Sequence, residues 1–536
     1  MNDFKDKVIY QIYPKSFYDT NHDGIGDIQG IIKKLDYLKD LGIDYIWSTP
    51  FFVSPMNDNG YDIADYKKIN PDFGTMEDVE ELIREADKRG IGIMLDMVFN
   101  HTSTSHPWFK KALMNDKKYQ DYYIFRSSKN APTNWLSKFG GSAWKYVEEI
   151  DKWYLHLFDE TQADLNWDNP EVREELKKII LFWKNKGVKG FRFDVINLVS
   201  KPDIFVDDYE GDGRRFYSDG PHIHEYLQEI VRDTGIENMI TVGEMSSTNI
   251  KDCQKYSSKK ELSMVFNFHH LKIDYLNNQK WALKDPDYKQ LQSLFKTWQE
   301  EMQKTNSTNA LFWCNHDQPR IVSRLGDETR YFKQSAKMLA TLIHMMRGTP
   351  YIYQGEEIGM TNAHFTDISF YRDVESLNYY KILLEEGKTK EEALHILSCR
   401  SRDNSRTPMQ WSNEEHAGFT SSTPWISINE NYHDINVDNA KKDPDSILHY
   451  YKKLIQLRKD KKLISQGEIS FIESDPELIV YKRHYQNEEL LVVCNMNNKE
   501  HPLPYDIKDY NVLLHNYNDI HVTLRPYECL VLEKGA

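Results

Sequence analysis

Arg192 and Asp194 stand two residues apart in GFRFDVIN (190–197), inside a run that is otherwise apolar and β-prone. A strand alternates its faces with period two, so both charges point the same way. Two charges on one buried face are costly unless they are paired or used. Other short runs end in groups of the same kind: Asp96 and then Asn100-His101 in IGIMLDMVFNH, Glu244 in MITVGEM, and His316-Asp317 in ALFWCNHD. A single strand-end acid often does no more than cap the following helix. Three carboxylates, Asp194, Glu244 and Asp317, with histidine and arginine beside them, point instead to one shared mouth. Such a set suits retaining glycoside hydrolysis, in which one carboxylate attacks the anomeric carbon and a second, about 5–5.5 Å away, serves as acid and base. Arg192 would then keep Asp194 ionised and aimed.

These groups meet only if the runs carrying them are neighbouring parallel strands. Eight apolar runs recur, at 8–13, 45–50, 91–99, 190–195, 239–245, 262–268, 310–317 and 350–357. Amphipathic segments such as IQGIIKKLDYLKDLG (28–42) and MEDVEELIREADKRG (76–90) lie between them. Continuous apolar runs mark strands covered on both faces. Eight of them alternating with helices predict an α/β chain folded as a (β/α)8 TIM barrel, whose reactive groups gather at the C-terminal strand ends. The interval after the third run is too long for a simple crossover, so residues 102–168 are read as an inserted subdomain. The barrel then spans 1–101 and 169–464, with SILHYYKKLIQLRKDKK (446–462) as its closing helix. Short strand patterns (ELIVYKRHY, ELLVVCNM, HVTLRPYECLVL) predict an antiparallel β domain over 465–536.

A formal charge of −15, from 68 Lys+Arg against 83 Asp+Glu, argues against nucleic acid or an anionic membrane surface as the partner. The 33 tyrosines, with 24 Phe and 12 Trp, supply flat amphipathic rings of the kind that suit sugar clefts. Five scattered cysteines show no metal-ligand spacing, and neither a signal core nor a bilayer-spanning stretch is evident. The expectation is a cytoplasmic monomer with no membrane association and no organic cofactor. DTNHDGIGD (19–27) spaces oxygen donors like the first part of an EF-hand loop: Asp19, Asn21, Asp23, the Ile25 carbonyl and Asp27, turned by Gly24. The closing glutamate is missing, since the twelfth position is Gly30. A structural Ca2+ or Mg2+ is expected there, with an ion-free Asx-turn loop as the alternative.

DMVFNH, GFRFDVIN, GEM and NHD resemble, in order, the four signature regions of the α-amylase family of glycoside hydrolases, and the resemblance covers essentially the whole chain. QADLN (162–166) resembles the QPDLN of its oligo-1,6-glucosidase branch, with Ala163 in place of proline. The resemblance implies Asp194 as nucleophile, Glu244 as acid/base and Asp317 as transition-state stabiliser. It further implies His101, Arg192 and His316 around the glucosyl ring. Asp58 and Tyr61 of DNGYD, with Arg406 of RDNSRTPMQW, would close the pocket for exo action. It also implies the cation in 19–27, and Val195 stands at a position tied to linkage preference, where valine fits enzymes that do not favour α-1,4 bonds.

GEMSST, EGDGRRFYSDGP, FNFHHLK and ALFWCNHDQPR are most similar to branch members whose substrate is a phosphorylated 1,1-linked disaccharide. Where the branch resembles FQFEHMD, FNFHHLK puts His269 and Lys272 in place of a glutamate and an aspartate. With Arg214 and Arg215 they are expected to hold the phosphate; solvated surface charge is the alternative for each. The expected partner is thus a small phosphorylated disaccharide. Isomaltose or sucrose is the alternative substrate, and the complete carboxylate set disfavours a non-catalytic amylase-like scaffold.

Overall fold

Each of the eight apolar runs becomes a strand. They are β1 (Ile9–Ile12), β2 (Tyr45–Ser48), β3 (Gly92–Met97), β4 (Gly190–Phe193), β5 (Ile240–Glu244), β6 (Met264–Phe266), β7 (Ala310–Leu311) and β8 (Thr349–Tyr353). The computed structural model describes residues 4–258, 260–503 and 505–534. Strand neighbours run β6-β5-β4-β3-β2-β1-β8-β7, all parallel. A parallel bridge between Val265 and Asn309, with Val265 N–H donating to the Thr308 carbonyl at 3.2 Å, closes the β6–β7 seam. The result is a TIM barrel. Register brings the chemistry to one level: Arg192 pairs with Asp96 on one side and Val242 on the other, so the side chains of Arg192 and Asp96 enter the barrel together.

The helices follow from local signals. In α1 (Met76–Lys88) Thr75 and Asp78 form a capping box, and Val79, Leu82, Ile83 and Ala86 make its buried stripe. The segment 28–42 is two helices, Ile28–Lys33 and Leu35–Leu41, broken at Lys34 (φ −103°, ψ 5°).

Between β3 and β4 the chain builds a three-stranded antiparallel sheet from Phe125–Arg126, Lys152–Leu155 and Trp144–Val147. Gln162–Asp164 ties this insert back by pairing with His101–Ser103, and its Trp135, Trp144 and Leu155 pack on Leu198 and Tyr217 of the barrel. Beyond α2 (Phe332–His344) and β8, the helix α3 (Val374–Glu385) overhangs the same end. The Asn378 amide donates to the Phe139 carbonyl at 3.3 Å, so the two excursions meet above the barrel mouth.

The closing helix α4 (Ile447–Asp460) holds the start of the chain, with Arg458 donating to the Lys5 and Gly348 carbonyls at 2.8 and 2.9 Å. The C-terminal strands β9 (Glu468–Ile472), β10 (Leu478–Tyr485), β11 (Glu488–Asn495), β12 (Tyr510–His515) and β13 (Cys529–Lys534) form an antiparallel sheet ordered β9-β10-β11-β13-β12. It docks on α2 through Tyr481, whose hydroxyl donates to the Leu342 carbonyl at 2.8 Å, and through buried Arg483 on the Met345 carbonyl at 2.6 Å. No helix among the described residues is long and apolar enough to cross a membrane.

Candidate active site

Arg192 lies beneath the cleft at the C-terminal end of its strand. One terminal nitrogen donates to Asp96 Oδ1 at 2.7 Å and Asp194 Oδ1 at 2.5 Å, and the other grips Glu244 Oε2. Its planar fork suits this shared grip. Asp96 is held from its other oxygen by Trp47 Nε1 at 3.1 Å and the Tyr61 hydroxyl at 2.9 Å. Glu244 also hydrogen-bonds Asp194. Held by the two terminal nitrogens of one guanidinium, the two carboxyls stand close together, as a retaining pair at about 5–5.5 Å requires.

From the sequence Arg192 is expected to keep Asp194 ionised; it does favour the charge, but against burial. Burial outweighs the guanidinium, which serves three carboxylates at once, and Asp96 adds repulsion, so Asp194 rises to about 7. Burial likewise lifts Glu244 to about 7, against Arg192. Two such close carboxyls titrate as a pair. Both are pushed up by burial, and the neighbouring Glu244 favours the charge on Asp194. One acid and one anion are what the first step of retaining hydrolysis uses.

The backbone turns sharply beyond Asp194. Val195 adopts a left-handed conformation (φ 35°, ψ 40°), which costs a β-branched residue about 1–2 kcal/mol. It ends β4 at the nucleophile candidate and puts the valine side chain on the cleft wall.

His316 and Asp317 follow β7. His316 is fully buried and stacked under Tyr61, centroids 5.0 Å apart and planes 2° apart. Its Nε2 lies 3.1 Å from Asp317 Oδ2. Asp317 Oδ1 receives Arg402 at 3.2 Å and Arg406 at 2.7 Å. Burial would raise this carboxyl, but His316, Arg402 and Arg406 together hold it well below the usual carboxylate range. Asp58 accepts from Arg402 at 3.0 Å and from Gln162 at 3.1 Å; burial, opposed by Arg402 and Arg406, pushes it up to about 7. His101 meets the same Gln162 at 3.1 Å, and burial lowers it to about 4, so its ring is neutral.

Asp58, Tyr61, His101, Asp194, Glu244 and Asp317 line one cleft of about 260 Å³. Arg192 lies beneath it and His316 behind Tyr61. Arg406 departs from the expectation. It is fully buried, bonded to the His316 carbonyl at 3.0 Å and to Asp317, and does not line the cleft. The arginine that closes the pocket beside Asp58 is Arg402, four residues earlier.

At the outer end four cations line the cleft: Lys138, Arg214, Lys272 and Lys280. Only two of the four expected phosphate ligands are among them. His269 packs its ring 4.8 Å from Trp298, lies off the cleft and is neutral, lowered to about 4 by burial and Lys272. Arg215 is bound outside to Asp208 at 2.8 Å and Glu210 at 2.5 Å. Arg214 is paired with Asp212 and Lys280 with Glu375. Among the described residues, no carboxylate lies within 4.0 Å of Lys138 or Lys272; Lys138 donates to Ser246 at 2.8 Å. Burial and Arg214 lower both lysines, Lys138 to about 7. Lys138, Lys280, Glu375 and Arg402 are cleft residues that the sequence did not single out.

The 19–27 loop offers hard oxygen donors suited to a divalent cation. Each carboxylate is turned onto its own loop: Asp19 accepts from the N–H groups of Asn21, His22 and Gly24, Asp23 from that of Ile25, and Asp27 from those of Thr20 and Gly30. Asp19 also accepts from the Thr420 hydroxyl at 2.5 Å, binding the loop to a distant segment.

The family model of the α-amylase catalytic domain matches residues 11–467. A trehalose-6-phosphate hydrolase of Escherichia coli (strain K12) is 52% identical, the match covering 98% of this chain and 97% of that one. An oligo-1,6-glucosidase of Bacillus cereus is 47% identical over 99% of each chain. The crystal structure of a trehalose-6-phosphate hydrolase of Bacillus licheniformis superposes with a TM-score of 0.94 at 54% identity, over 99% of this chain and 100% of that one. With paired carboxyls on a shared guanidinium at the mouth of an eight-stranded barrel, and these relatives along its whole length, the chain belongs to the α-amylase family of glycoside hydrolases.

Proposed function

We propose that the chain hydrolyses α,α-trehalose 6-phosphate with retention, releasing glucose and glucose 6-phosphate. Asp194 attacks the anomeric carbon of the unphosphorylated glucose, and the Glu244 carboxyl gives its proton to the departing glycosidic oxygen. Glucose 6-phosphate leaves and a glucosyl ester on Asp194 remains. Glu244, now a carboxylate, takes a proton from water as that water attacks the same carbon, and glucose departs. Asp317, held ionised, binds the ring hydroxyls most strongly in the transition state. Asp58 and Arg402 block the inner end, so one non-reducing glucose fits and action is exo.

The observation that carries the substrate is the outer ring of cations, above all Lys138 and Lys272, which among the described residues have no carboxylate within 4.0 Å. Burial and neighbouring cations lower both amines, and Asp212 and Glu244 offset this only in part at Lys138. A phosphate dianion would relieve both. Kinship with trehalose-6-phosphate hydrolases supports the same reading. The oligo-1,6-glucosidase alternative is supported by identity nearly as high, and it differs in the outer half of the cleft alone.

Release of glucose 6-phosphate from trehalose 6-phosphate, measured beside trehalose, isomaltose and sucrose, tests the reading. Lys272→Ala should cut kcat/KM for the phosphorylated sugar about 10- to 100-fold, the loss of a charge-assisted contact of roughly 1.5–3 kcal/mol, and leave neutral disaccharides nearly unchanged. Equal losses on both substrate classes would overturn it.

We also propose a structural Ca2+ or Mg2+ held by Asp19, Asn21, Asp23, the Ile25 carbonyl and Asp27, remote from the reacting atoms. The setting we propose is the cytoplasm, where a phosphorylated sugar is retained. A monomer suffices, because every cleft residue comes from one chain.

A further inference from the structure

His316 is enclosed on all sides. Tyr61 stacks on it, Tyr13 lies near-parallel with centroids 6.3 Å and planes 14° apart, and Trp47 stands edge-to-face at 6.2 Å and 84°. The charged groups around it are Asp317, Glu244, Arg406 and Arg192. Nε2 lies 3.1 Å from an oxygen of Asp317, out of line for a hydrogen bond, and a bare lone pair on that nitrogen would face a carboxylate held ionised, so the hydrogen is favoured there. Burial lowers the ring's basicity against Asp317's pull, so a second hydrogen is disfavoured. Nδ1 is therefore left with a lone pair that needs a donor in a site closed to water. The group that meets it, at 2.8 Å, is the side-chain amide of Gln11. Only the Nε2 end of that amide can serve, since its oxygen would face the lone pair.

We propose that Gln11 is a positioning residue, whose amide N–H, given to Nδ1, fixes His316 in the Nε2–H tautomer facing Asp317 and the cleavage subsite. Gln11 is well placed for this. It is 1% exposed, lies on β1 between β2 and β8, and its carbonyl accepts from Gln354 N–H at 3.0 Å. Backbone pairing on both sides holds the amide, and two tyrosine rings hold the imidazole. A neutral amide also places no charge behind the ring. A carboxylate at this position would draw a proton onto Nδ1 and leave the imidazolium facing three carboxyls.

The catalytic meaning rests on the reading of His316 as a ligand of the glucosyl ring, but the tautomer can be tested separately. In protein labelled with 15N-histidine, the His316 signals are identified by their loss in His316→Asn. Long-range 1H–15N correlations at pH 7 should show a neutral ring protonated at Nε2. Gln11→Glu should raise the His316 titration midpoint by about 1–3 pH units and shift the pH profile of kcat/KM with it. Gln11→Met should lower kcat by about 10- to 100-fold, the loss typical of an orienting partner, with KM much less affected. A wild-type ring protonated at Nδ1, or at both nitrogens, overturns the proposal, as does an unmoved midpoint in folded Gln11→Glu. The tautomer is read in the wild-type protein, with His316→Asn used only to identify the signals, so a misfolded Gln11 variant leaves the test intact. A preference for isomaltose would sink the substrate assignment and leave the spectrum as it is.

Discussion

Glu244→Gln should do two opposite things: abolish turnover and stabilise the fold, the second only as pH rises above about 4.5. Glu244 is buried in the folded chain and pushed up from 4.5 to about 7. A carboxyl raised on folding contributes stability below its unfolded value, and that contribution is lost as pH rises through the folded value. The loss therefore falls between about pH 4.5 and pH 7. At about 1.36 kcal/mol per unit it amounts to roughly 3 kcal/mol, and glutamine, which cannot ionise, avoids it. For 536 residues an unfolding entropy of about 2.1 cal/mol/K per residue converts 3 kcal/mol to roughly 3 °C. Thermal unfolding of wild type and Glu244→Gln should thus coincide near pH 4.5 and separate by about 3 °C at pH 8. On the same preparations kcat should fall by about 100- to 10,000-fold, the usual contribution of a general acid. If the two melting curves stay together at pH 8, Glu244 is not held protonated by its surroundings and the acid assignment loses its physical basis.

Asp194→Ala should eliminate turnover while the chain still folds, since it also removes a buried charge; detectable burst release of glucose 6-phosphate from this variant would contradict its role as nucleophile. Arg402→Ala breaks the contacts to Asp58 and Asp317 together and should raise KM for every disaccharide by about 10-fold or more, the price of stranding buried carboxylates being several kcal/mol; an unchanged KM would show that the pocket is closed by something else. Removing divalent cations with a chelator should lower the melting temperature and added Ca2+ or Mg2+ should restore it, with turnover at low temperature retained. A melting temperature indifferent to both would leave 19–27 a self-bonded loop.

The barrel was legible because each strand is a local signal: a short apolar run whose last polar residue marks its C-terminal end, as in LDMVFNH and RFD. The register that brings Arg192 level with Asp96 follows once those strands are parallel neighbours. What resisted reading lies where no period operates. Arg402 caps and Arg406 ends one short helix, and only three-dimensional packing decides that both reach Asp317 while the first alone reaches Asp58. Lys138 sits in an irregular stretch of the insert, with no alternation to say which way it faces. His269 and Lys272 look equivalent in FNFHHLK, yet the helical turn His269–Leu271 ends between them; Lys272 then swings into the cleft while His269 packs on Trp298. The environment of Asp194 was only half legible for a different reason, since one arginine was visible but its division among three acids was not.

The ring of cations at the mouth has a consequence for how substrate arrives. The chain as a whole carries a formal charge of −15, so a phosphorylated sugar approaching from afar is repelled. Beyond a Debye length of about 8–10 Å at physiological salt that repulsion is screened, and the four cations act only at close quarters. Encounter then gains no long-range electrostatic steering, and selectivity for the phosphoryl group resides in how slowly the bound sugar escapes. Raising ionic strength from very low values should even quicken association, because salt removes the global repulsion before it weakens the local grip.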